Sequence, residues 1–144
     1  MDSQWLKGKL EGKFGGAILD VGRFGRSEIP CVWVESRRWR EVALFCRDEA
    51  TLMFDWVENM NVLQVDATLV VSCFFHRRKD NERLVARLSA PLRSGGNKRV
   101  EVPSLKDIFP SAFSFEVEAV NLFGVYFSEV APDRAFPPHS AGVS

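Results

Sequence analysis

Residues 69–75, Leu-Val-Val-Ser-Cys-Phe-Phe, constrain this chain more than any other stretch. A strand turns successive side chains to opposite faces. Here both sets are apolar apart from Ser72, so the segment reads as a central strand. Lys79-Asp80-Asn81-Glu82 follow as a polar turn, and Leu84, Ala86 and Leu88 then alternate with Arg83, Val85, Arg87 and Ser89. That alternation predicts a half-buried strand returning antiparallel to the first.

Helical periodicity brackets this pair. Trp39, Val42, Ala43, Cys46 and Ala50 fall at i, i+3, i+4, i+7 and i+11 as one stripe, with Arg37, Arg38, Arg40, Glu41, Arg47 and Asp48 on the other faces. Ser36 supplies an N-cap, and the helix covers a sheet. Residues 2–11 form a shorter helix ended by Gly12, Gly15 and Gly16. Residues 17–21 and 29–34 then make a hairpin, with Pro30 at a sheet edge or a strand start. A strand of mixed pattern lies within residues 52–66.

Past the loop at 94–97, residues 100–103 lead into a turn capped by Ser104. Asp107 stands three residues on, as in a capping box, and Pro110 stops the turn. Ser111 or Ser114 starts a last helix, Gly124 closes it, and residues 125–127 add a short strand. Pro132, Pro137 and Pro138 mark an aperiodic C-terminus. The expected organisation is one domain over 1–130 and a flexible tail over 131–144. Without repeated strand–helix alternation, the fold class is two-layer α+β, with helices packed on a mixed, largely antiparallel sheet.

Charge narrows the function classes. Lys plus Arg equals Asp plus Glu at 19 each, which argues against a nucleic-acid or membrane-surface field and suits a protein resting against partners. Cys31, Cys46 and Cys73 are widely spaced within apolar stretches, so they read as buried free thiols in a reducing cytosolic compartment. No apolar run approaches the ~20 residues that span a bilayer. The N-terminus carries an acid at Asp2 and lacks the long apolar core of a secretory signal. Membrane association is therefore expected only through another protein.

The last helix holds the residues of most interest. At 100° per residue, Ser114, Glu118 and Asn121 share one polar stripe, and apolar side chains cover the rest, so the helix should be mostly buried. Glu116 projects from that apolar surface between Ala119, Val120 and Phe123. Its carboxylate needs a partner or must shift upward in pKa. It accepts bonds from the helix's own first-turn amides, or pairs with an Arg of the domain or a cation of a partner, or acts as a general acid or base. Glu116 and Glu118 point to different sides and cannot flank one substrate.

Other candidates are thin. His76 and His139 are unclustered and form neither a metal site nor a catalytic pair. Arg37-Arg38-Trp39-Arg40 reads as a solvated helix face, because Trp39 is already on the core stripe. Gly95-Gly96-Asn97-Lys98 lacks the spacing of a phosphate loop, and Gly12, Gly15 and Gly16 fit no dinucleotide fingerprint. Residue patterning thus yields no catalytic, cofactor or metal site.

Residues 102–112, Val-Pro-Ser-Leu-Lys-Asp-Ile-Phe-Pro-Ser-Ala, followed by Glu116-Val117-Glu118-Ala119-Val120-Asn121-Leu122-Phe123-Gly124-Val125, resemble the signature of the 30 kDa subunit of respiratory NADH:quinone oxidoreductase, complex I. The Glu-x-Glu and Phe-Gly fall at the family's spacing. Val117 and Asn121 replace the Arg and Asp usual there, and the run that normally follows is reduced to Pro132-Asp133-Arg134. These departures fit the shorter relatives in energy-converting, membrane-bound nickel–iron hydrogenases, or a diverged or truncated copy.

The resemblance implies a peripheral-arm assembly subunit without catalytic residues or cofactor of its own, on the cytoplasmic face of the membrane. It would pack against the large catalytic subunit (49 kDa or hydrogenase-like) and support electron transfer there. Glu116, Glu118, Asn121, Phe123, Gly124, Asp133 and Arg134 are the expected contact residues. A free-standing protein-binding or regulatory domain derived from that family is the alternative.

Overall fold

The computed structural model describes residues 1–92, 100–123 and 125–128, the side chain of Phe123 excepted. The apolar run lies at the centre of β4 (Thr68–Arg77), which pairs antiparallel with β3 (Trp56–Val65) on one side and β5 (Glu82–Pro91) on the other. The far edge of β5 takes β2 (Pro30–Val34) in parallel, and β1 (Ile18–Arg23) completes the order β1-β2-β5-β4-β3 antiparallel to β2. The α+β fold with a mixed, mostly antiparallel sheet is therefore as expected. Pro30 is the first residue of β2, where a missing N–H is tolerated.

One face of the sheet is covered by helices. α2 (Trp39–Asp48) buries Trp39, Val42, Ala43 and Cys46, and α1 (Ser3–Phe14) buries Leu6, Leu10 and Phe14. Val32, Val34, Val71, Cys73, Phe75, Leu84, Ala86 and Leu88 complete this core from the strands. Gly12 does not end α1. The helix runs on to Phe14, whose ring meets Phe45 edge-on at 5.4 Å, and Gly15 closes it at φ +57°. Burying an aromatic ring outweighs the ~1 kcal/mol cost of a helical glycine. Ser36 caps nothing, because a 3-10 turn at Ser36–Arg38 precedes α2. Ala50 is exposed past the end of α2, where the chain turns so that Leu52 takes the buried place.

The mixed pattern of β3 has a local cause. A bulge between Val57 and Asn59 shifts the alternation, so Val57 is buried before it and Met60 and Val62 after it. β5 departs from half-buried, because Val85 is buried along with Leu84 and Ala86. Beyond the main sheet, β6 (Val100–Pro103) and β7 (Val125–Ser128) pair in parallel as a separate two-stranded sheet, which the sequence reading does not anticipate. α3 (Phe113–Phe123) forms their crossover and lies beside β3, the edge of the main sheet. The 94–97 loop, Gly124 and the 131–144 tail fall outside the described residues.

Candidate functional site

The chain between β6 and α3 folds into a tight turn and then a 3-10 turn at Pro110–Ala112, and buries Leu105, Ile108 and Phe109. Pro110 opens that second turn, where its fixed φ and missing N–H do no harm. Glu116 fastens the first turn from inside. Ser104 Oγ donates to Glu116 Oε1 at 2.7 Å, and the Leu105 amide donates to Oε2 at 2.7 Å. Ser104 Oγ accepts in turn from the Lys106 amide at 3.2 Å. Glu116 is 4% exposed and Ser104 2%.

The amide that holds Glu116 is thus supplied by the preceding turn and not by the first turn of α3, because the buried arc of the helix faces that turn. No guanidinium among the described residues pairs with this carboxylate. Burial pushes the Glu116 carboxyl above its ordinary value, and the Leu105 amide and Ser104 hydroxyl offset part of that rise. Burial also drives the Cys73 thiol well up, with the nearby Glu116 charge adding to it.

α2 fastens the same turn from outside. Arg40 donates from Nη1 to Asp107 Oδ1 at 2.7 Å, from Nη2 to Oδ2 at 2.8 Å, and from Nη1 to the Ser104 carbonyl at 2.6 Å. Arg47 reaches the Ile108 carbonyl at 3.4 Å. The expected capping box does not form, since Arg40 takes the Asp107 carboxylate. Arg40 itself, expected on a solvated face, is held. Ser111 ties the second turn to the bulge of β3, where its Oγ accepts from the Val57 amide at 2.8 Å and donates to the Val57 carbonyl at 3.0 Å.

The outer surface of α3 differs from expectation. Ser114, Glu118 and Asn121 are exposed as a stripe, but so are Phe113 at 54%, Val117 at 43% and Leu122 at 66%. Tyr126 of β7 adds another exposed ring. Among the described side chains of α3 only Glu116 and Ala119 are buried, with Phe115 and Val120 half-buried. The helix flanks an edge strand instead of lying across the sheet, so half its circumference has no cover among the described residues. A groove of about 230 Å³ separates it from β3, between Asn59 and Asn61 on one side and Phe115, Glu118 and Leu122 on the other.

Of the expected contact residues, Glu118 and Asn121 therefore share an open surface, and Glu116 lies beneath it. The Phe123 side chain, Gly124, Asp133 and Arg134 fall outside the described residues, as does His139. His76 Nε2 donates to Asn81 Oδ1 at 2.7 Å, and Glu58 stands 3.7 Å from its Nδ1. Cys31, Cys46 and Cys73 are buried free thiols, as read from the sequence. No described helix is long and apolar enough to cross a membrane.

The proline-punctuated double turn, locked to α3 by the buried Glu116, is the form taken by the stretch that carries the family resemblance. Residues 32–138 match the sequence model of the family described as respiratory-chain NADH dehydrogenase, 30 Kd subunit. The chain belongs to that family. No curated protein matches the sequence. Among solved structures it is similar to a chain of the membrane-bound sulfane sulfur reductase (MBS), an archaeal respiratory membrane complex, with a TM-score of 0.70 and 15% identity over 96% of this chain and 84% of that one. At that identity the likeness is one of fold.

Proposed function

We propose that the chain is a non-catalytic subunit of a membrane-associated, complex I-like respiratory assembly, and that the outer surface of α3 docks it on the large catalytic subunit. Family membership supports the class of assembly. The observation that carries the docking surface is the exposure of Phe113, Val117 and Leu122 on α3, on either side of the stripe of Ser114, Glu118 and Asn121. The polar stripe is flanked by Phe113 and Val117 on one side and Leu122 on the other, and such mixing of apolar and polar contact area is common in protein interfaces. Glu116, Arg40 and Ser111 hold the elements beneath, so the surface is rigid before it meets a partner, and less ordering entropy opposes binding.

In this reading the chain contributes position and the catalytic partner contributes the redox chemistry. Contact with the membrane is indirect, on the cytoplasmic side. Asp133 and Arg134 are included in the proposed contact. Val117 and Asn121 favour an assembly of the hydrogenase-related kind. Glu118→Lys and Val117→Asp, each in a tagged chain purified under gentle detergent, test the surface. Loss of the large subunit from either folded variant is expected. Retention by both at the unmutated level contradicts the docking surface.

A further inference from the structure

The sheet face opposite α1 and α2 carries no helix among the described residues, and a single arginine organises it. Arg87 on β5 stands in a row across the strands with Trp33 of β2 and Ser72 of β4. Its guanidinium carbon lies 5.2 Å from the ring centre of Phe24 and 4.9 Å from that of Trp33. Nε donates to Ser72 Oγ at 2.8 Å. Phe24 comes from the β1–β2 turn, folds over this face and meets Phe74 edge-on at 5.2 Å. Beneath these side chains Cys31, Ser72 and Val85 are buried.

Arg87 differs from its fellows in charge balance. Eight of the ten described arginines meet a carboxylate. The two that do not are Arg26, exposed in the same β1–β2 turn, and Arg87, half-buried. A flat guanidinium held between aromatic rings has already lost side-chain freedom and part of its hydration, and it still presents N–H groups. Leu63 and Val65 of β3 lie on the same face at 52% and 47% exposure. Asp20 of β1 stands in the same row beyond Trp33, but Arg87 makes no ion pair with it. A pre-set cation without an ion pair, amid exposed apolar side chains, is complementary to a carboxylate flanked by apolar residues.

We infer that this open face, centred on Arg87, is a second docking surface, which takes an Asp- or Glu-bearing, otherwise apolar segment of another subunit. The inference rests on the reading that the chain works inside a multi-subunit assembly, but it uses none of the α3 surface. The chain would then bridge two partners, one at each surface.

Photo-crosslinking in native membranes tests it. The full chain carries p-benzoylphenylalanine in place of Leu63, or in separate samples Val117, with exposed Lys7 as the control position. The Leu63 adduct is expected to map by mass spectrometry to an acidic and apolar peptide of another subunit. Arg87→Glu and the gentler Arg87→Met should each lower it by roughly tenfold, the scale of losing one anchor residue, while leaving the Val117 adduct unchanged. Both lower the thermal melt, since Ser72 loses its donor, so the Val117 adduct is the control for folding. The inference is overturned by a Leu63 adduct no stronger than that of Lys7, or one confined to residues 129–144 or a second copy of this chain. An adduct indifferent to both Arg87 variants overturns it too. Loss of the Val117 adduct alone counts against the α3 surface and leaves this one standing.

Discussion

Arg40 and Asp107, 67 positions apart in the chain, meet through two parallel N–H···O bonds of 2.7 and 2.8 Å. The pair pins the turn that carries the family resemblance to α2, and the same guanidinium also holds the Ser104 carbonyl. Arg40 is 15% exposed and Asp107 33%, so the pair is only partly screened. Arg40→Ala should cost about 1–2 kcal/mol in urea unfolding, because a charge-assisted fork and a carbonyl partner are lost together. A double-mutant cycle with Asp107→Asn should show coupling on the order of 1 kcal/mol. Zero coupling would mean that the turn is held without this pair.

Glu116 makes stability fall with rising pH. Its folded pKa is raised above the ordinary 4.5 by burial. Below that ordinary value the carboxyl is protonated in both states, and its contribution is fully present. As pH rises, the unfolded chain gives up its proton first, and the contribution is lost through the raised folded value. Urea titrations between pH 4 and 7 should therefore find wild type losing stability relative to Glu116→Gln as pH rises. A difference that grows in favour of wild type with rising pH would mean that the two hydrogen bonds outweigh burial.

Ser111 satisfies both backbone groups of Val57 at the bulge. Ser111→Ala should cost about 1–3 kcal/mol, the penalty for buried polar groups left unpaired. Amide exchange at Val57 should quicken by more than at strand positions away from the bulge. Unchanged protection there would remove Ser111 from the account.

The thiols should differ in reactivity. Burial pushes the Cys46 thiol up to about 12 and the Cys73 thiol well above its ordinary value, where the Glu116 charge adds to the effect. Cys31 is also raised by burial, but the neighbouring Arg87 pulls it back. At pH 8 iodoacetamide should modify Cys31 first in the folded protein and reach Cys46 and Cys73 only after urea unfolding. Alkylation of Cys46 at the rate of a free thiol would contradict the packing.

Local periodicity made much of this fold legible. The stripe from Trp39 to Cys46 and the run through β4 each carry enough apolar residues to fix a face, and the helical wheel placed Glu116 among buried side chains. The partner of Glu116 was not legible, because it depends on which turn crosses the helix. Nor was the Arg40–Asp107 pair, whose members are joined only by the tertiary fold. Phe113, Val117 and Leu122 misled most directly. Apolarity says that a side chain resists water, but the position of α3 at a sheet edge leaves them uncovered among the described residues. The parallel pairing of β2 with β5 likewise has no local signal, because long crossovers are decided by packing.

The central claim is that the chain is a working part of a larger respiratory assembly. Purifying the tagged protein from its native host under gentle detergent, and identifying what comes with it, tests that most directly. The account predicts stoichiometric recovery of a large hydrogenase-like or quinone-reductase subunit together with membrane subunits. Recovery of the chain alone, stable and in excess, would contradict it.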